Sequence, residues 1–116
     1  MDAPTDERLL REFVAGKAGS FELLVRRHAQ ELHQFAMRFT GDSAAAEDVV
    51  QESFLQVYTS GDRFDPHRRF KPWLFTIAAN KARDYLRKRN RRHEVGFDAT
   101  LPDEEETGRR FVHLLS

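Results

Sequence analysis

Apolar positions along this 116-residue chain recur every three or four residues, and no stretch alternates in the manner of a strand. That period predicts an all-α fold, and cap and stop residues divide it into four helices. Thr5 or Asp6 caps a first helix reaching about Val14, with Leu9, Leu10 and Phe13 on one side and Gly16 ending it. A second runs from Ser20 to about Thr40, where Phe21, Leu24, Val25, Leu32, Phe35, Ala36 and Phe39 fall within one arc and Gly41 marks the stop. His28 lies in the same arc and is expected to be packed and hydrogen-bonded; His33 points elsewhere, so the two do not form a metal pair. Asp42 and Ser43 open a third helix that closes before Gly61, its core side given by Ala46, Val50, Phe54 and Val57. Residues 62–71, "DRFDPHRRFK", have no sustained period and read as an ordered loop. Pro72 suits the first turn of a fourth helix ending at about Arg89 to Arg92, anchored by Leu74, Ala78, Ala82 and Tyr85. The expectation is a compact bundle of about four helices over residues 1–93, followed by a polar, acidic linker over 94–116 that ends in the unfinished element "RRFVHLLS".

One domain suits this length, with a single core. The absence of cysteine removes disulfide and thiolate chemistry, and there is neither a long apolar run nor a signal peptide, so the expected location is the cytoplasm. The formal net charge of zero conceals an asymmetry: residues 63–92 hold 11 Lys and Arg against Asp65 and Asp84, a local +9 balanced by −9 elsewhere. Clustered cations suit a polyanion, although a solvated basic helix has the same composition.

Two helix faces carry candidate chemistry. On the third helix Asp48, Gln51, Glu52 and Leu55 share the side opposite the core, an arrangement that suits a protein contact with an apolar centre, or an ordinary exposed helix with one surface leucine. A nuclease reading would make Glu47, Asp48 and Glu52 a metal cluster, Asp48 and Glu52 being one turn apart, but no second element supplies further ligands or a base. On the fourth helix Thr76, Asn80, Arg83 and Arg87 form a polar stripe bordered by Trp73, and the preceding loop adds Phe64, His67, Arg68, Arg69, Phe70 and Lys71. Aromatics interleaved with cations beside an amide can stack unpaired bases while holding phosphates, but Trp73 and Phe70, taken singly, suit core packing better.

The order "AEDVVQESFLQVY" and then "RFDPHRRFKPWLFTIAANKARDYLRKRNRR" resembles conserved region 2 of sigma-70-type RNA polymerase sigma factors, especially the extracytoplasmic-function (ECF) group, over about residues 5–92. The resemblance implies docking of the "DVVQESF" helix on the clamp coiled coil of the polymerase core's largest subunit, through Asp48, Gln51, Glu52, Phe54 and Leu55. It further implies recognition and melting of the promoter −10 element by capture of non-template-strand bases. Phe64 and the loop residues Arg63, Arg68 and Arg69 would form the base pocket with Trp73 beside it and Asn80 lining it, while Lys71, Lys81, Arg83, Arg87 and Lys88 would meet phosphates or base edges. No catalytic residue, cofactor or metal is implied, and an anti-sigma protein is a partner the family leaves open. The family's second helical domain, the reader of the −35 element, has no counterpart in these residues, so the expectation is a fragment or a chain without that reader. A sigma-like adaptor that binds protein without reading bases is the alternative outside DNA recognition.

Overall fold

The structure is a computed structural model, describing the backbone of residues 3–98 and the side chains of residues 3–92. Among these residues the chain forms α1 (Asp6–Val14), α2 (Ala18–Thr40), α3 (Ser43–Ser60), a 3-10 turn over Gly61–Arg63, and α4 (Phe70–Asp98). Thr5 is the cap of α1, its Oγ1 accepting from the Arg8 amide at 3.1 Å, and Asp42 caps α3 by accepting from the Ala44 amide at 3.1 Å. Gly41 ends α2 in the left-handed conformation, φ 65°, and its N–H donates to the Met37 carbonyl.

Gly61 does not behave as a left-handed stop, for its φ is −59° and the chain passes directly into the 3-10 turn. A β-carbon there would stand 3.2 Å from Leu10 Cδ1, so this glycine serves close approach of α1.

α2 lies against each of the other three helices, and α3 packs on α4. Leu24, Leu32 and Ala36 of α2 meet Ala46, Val49 and Val57 of α3 and Leu74, Ala78 and Ala82 of α4 in one core that Leu9 and Leu10 close from α1. Each such large apolar side chain contributes about 1.5–3 kcal/mol by leaving water. An aromatic seam joins three helices: Phe21 of α2 stands 5.0 Å from Phe13 of α1 and 5.4 Å from Tyr58 of α3, centre to centre.

The four-helix expectation holds, with corrections at its edges. On α3 the buried arc includes Ala45, Val49 and Ser53, while Val50 is only partly buried. Ser53 is accommodated because its hydroxyl donates to the Val49 carbonyl at 2.7 Å. On α4 Ile77 and Leu86 join the core, and Tyr85 stays partly exposed with the Arg89 guanidinium 5.9 Å from its ring centre. α4 begins at Phe70, two residues before Pro72, since a proline within the first turn removes an N–H that had no intrahelical acceptor. It continues to Asp98 rather than ending by Arg92, passing through Gly96 at a helix cost of about 1 kcal/mol. The rest of the expected linker, 99–116, lies outside the described residues. His28 is buried as expected, its Nε2 2.9 Å from Asp6 Oδ2, with Phe70 packed beside it.

Candidate functional site

The loop between the 3-10 turn and α4 takes its shape from Asp65 and Pro66. Asp65 Oδ1 accepts from the His67 amide at 2.9 Å, and the Arg68 amide donates to the Asp65 carbonyl at 3.0 Å. Aspartate followed by proline is the arrangement that starts such a turn, because the carboxylate satisfies the backbone locally and proline pre-sets φ. The turn leaves His67, Arg68 and Arg69 exposed on the outside.

Behind the turn the aromatics stack inward. Phe70 is 0% exposed; Phe64 lies 6.3 Å from it, and Trp73 lies 4.8 Å from Phe64 at an angle of 50°. Trp73 is thus held on one side by Phe64 and Phe70, while its other side joins a groove of about 500 Å³ with His67, Arg68, Arg69, Pro72 and Thr76. An open aromatic surface ringed by two guanidinium-bearing residues can accept a flat, unpaired base next to an anionic backbone. Asn80 follows Thr76 by one turn on the same face, exposed, and Arg83 and Arg87 continue the stripe, both partly buried. Arg87 pairs with Asp84 at 3.6 Å.

The expected residues separate into groups. Arg68, Arg69 and Trp73 come together at the groove, with Asn80 beyond it. Phe64 lies behind Trp73 and lines a different groove, of about 450 Å³, against Leu10, Arg11 and Val14 of α1 and Ala15 just after it. Lys71 is on the far side of the helix start, its Nζ 2.9 Å from Glu31 of α2. Arg63 is exposed in the 3-10 turn, Lys81 partly buried, and Lys88 exposed further along α4. His67, Pro72 and Thr76 are further groove residues.

On α3 Asp48, Gln51 and Glu52 are exposed together with Leu55, which is 61% exposed. Tyr58, one turn beyond and 58% exposed, extends that face; its i, i+3 spacing from Leu55 was the available signal. Phe54 is corrected: at 6% exposure it faces the core against Phe21, so it supports the helix and cannot reach a partner on the outer face. No group of three or more His, Asp or Glu is placed to hold a metal ion among the described residues.

The family model "Sigma-70 region 2" matches residues 24–92. The RNA polymerase sigma factor CarQ of Myxococcus xanthus is 46% identical over 78 residues, covering 67% of this chain and 45% of CarQ. The ECF RNA polymerase sigma factor SigW of Bacillus subtilis is 31% identical over 83 residues, 72% of this chain and 44% of SigW. The chain spans about half the length of the curated relatives it matches. An NMR structure of an engineered region 2 of sigmaE in complex with GTAAAA superposes with a TM-score of 0.73 at 36% identity, covering 79% of this chain and 97% of that one.

Proposed function

The chain belongs to the sigma-70 family, through region 2 of its ECF group, and on that premise we propose that it acts in transcription initiation as a −10 recognition module docked on RNA polymerase. One observation carries the DNA half: the chain's one tryptophan, Trp73, lines an open groove with Arg68 and Arg69 at the head of a polar, basic helix face. A sigmaE region 2 of the same fold was solved with a single six-base sequence, GTAAAA. In this reading a base leaves its stack, at a cost of a few kcal/mol, and lies against Trp73. Asn80 meets a base edge, and Arg68, Arg69, Arg83 and Arg87 hold the phosphates.

The α3 face of Asp48, Gln51, Glu52 and Leu55 is assigned to the clamp coiled coil of the largest polymerase subunit, with Tyr58 at its edge. Acidic groups around an exposed leucine and tyrosine suit a basic partner with an apolar centre. The helical domain, whose last helix runs on to Asp98, acts as the folded unit, and no catalytic residue is assigned, because base capture needs binding energy and not bond chemistry. No helix among the described residues is long and apolar enough to cross a membrane, in keeping with action on polymerase in the cytoplasm.

Titrating the chain with single-stranded GTAAAA and following Trp73 fluorescence tests the DNA half. Saturable quenching by the single strand, and weaker binding of the same sequence in a duplex, are expected. Equal affinity for both forms would leave a non-specific basic surface.

A further inference from the structure

The loop that shapes the groove is held at both ends by α1, and the sequence explains why it needs to be. α4 begins at Phe70, whose N–H is among the amides that a helix start leaves without a partner. The preceding residue, Arg69, carries only donors and cannot cap it. The acceptor arrives from 63 residues away: Glu7 Oε2 takes the Phe70 amide at 2.7 Å, placing a carboxylate at the positive end of the helix. One turn further along α1, Leu10 closes on Gly61 at the start of the loop, where a β-carbon would stand 3.2 Å from it. Glu7 and Leu10 therefore bracket segment 64–69 from one face of one short helix, Glu7 at the residue that follows it and Leu10 in the 3-10 turn that precedes it. α1 is itself held to α2, Asp6 by His28 at 2.9 Å and Arg27 at 3.1 Å, and Glu12 by Ser20 at 3.0 Å.

We infer that α1 is a clasp on the base-capturing loop and that Glu7 is its positioning residue, setting Phe70 and through it Trp73 for the incoming base. The inference rests on the proposed capture of a single strand at Trp73. Glu7 is not among the side chains that line that groove, although it shares a neighbouring cleft with Arg69 and Pro72, and it acts by holding the loop in the conformation that binds and removing the cost of ordering it.

Electrostatics alone gives the opposite sign, which makes the test decisive. Removing an acidic side chain near a phosphate site strengthens DNA binding if charge is all that matters, whereas loss of the clasp weakens it. In the full chain, Glu7→Ala is expected to weaken binding of single-stranded GTAAAA about three- to tenfold, the scale of a lost helix cap, and to speed hydrogen exchange at the Phe70 amide. Glu7→Gln, which keeps an acceptor oxygen and loses the charge, is expected to bind as well as the unaltered chain or better. If Glu7→Ala loses helix content, Glu7→Met, with the stem retained and the acceptor gone, replaces it. Unchanged or tighter binding by the acceptor-less variant, with the unaltered chain binding normally, overturns the clasp. If the unaltered chain does not bind, the parent reading fails, and unchanged Phe70 exchange in the variant would overturn the clasp as well.

Discussion

Lys71 Nζ lies 2.9 Å from Glu31 Oε1, joining the start of α4 to the middle of α2, and the same ammonium stands 5.7 Å from the Phe75 ring centre. A lysine expected to serve phosphates is therefore already engaged on the side away from Trp73. Both partners are about half exposed, so the pair is weak and open to competition. Glu31→Gln is expected to tighten single-strand binding about twofold at low salt, and the gain should vanish near 1 M salt, where charges beyond about 3 Å are screened. Titration of both chains at two ionic strengths checks this; a gain that survives high salt would show that Glu31 acts other than by charge.

Reversal of charge on the outer face of α3 should separate the two binding activities. Asp48→Lys or Glu52→Lys is expected to reduce association with polymerase core roughly tenfold and leave single-strand binding intact or tighter. Both residues are exposed, so the fold should tolerate the change. A pull-down titration with unaltered core affinity would remove the docking assignment.

Phe54 should behave in the reverse way, because it sits in the core against Phe21. Phe54→Ala is expected to destabilise the domain by about 3–5 kcal/mol, read as a lowered urea midpoint. Leu55→Ala, one residue on and exposed, should leave the midpoint within about 0.5 kcal/mol of the original and weaken core association instead.

Arg87 ends the polar stripe of α4. Arg87→Ala is expected to lower the salt slope of single-strand binding by about 0.7, the value for one phosphate contact. A slope that does not move would mean that Arg87 serves only its pair with Asp84.

Acid should loosen α1. The Ser20 hydroxyl and then the Arg8 guanidinium hydrogen-bond Glu12 and hold its pKa below the ordinary glutamate value. A carboxyl lowered in the folded state stabilises it above the unfolded pKa, and that contribution is lost as the pH falls through the folded pKa. Glu12→Gln is accordingly expected to flatten the acid limb of α1 hydrogen exchange. An unaltered limb would place the acid sensitivity elsewhere.

Periodicity identified the four helices because each buries an apolar arc, and Leu24, Leu32 and Ala36 appear where their spacing put them. It misjudged α3 by part of a turn: Ser53 reads as polar, yet its bond to the Val49 carbonyl lets it be buried. The outer face of α3 is legible in the sequence, since Asp48, Gln51, Glu52 and Leu55 are all exposed, whereas Phe54, which only the family resemblance places there, falls on the core side by its own helical phase. The groove was legible in composition but not in partition. Loop residues carry no period, and whether Phe64 or Trp73 presents the open ring depends on how the Asp65–Pro66 turn folds back. Glu7 had no local signal at all, since its partner amide lies 63 residues away.

The central claim is that this domain reads bases. The most direct measurement is the affinity of the chain for a set of single-stranded hexamers, each differing from GTAAAA at one position, at fixed salt. Base capture predicts that one or two positions lose about tenfold or more on substitution, at about 1–3 kcal/mol for each stacked or edge-bonded base, while the others change little. Equal affinity across the set would contradict it and leave a basic surface that holds any single strand.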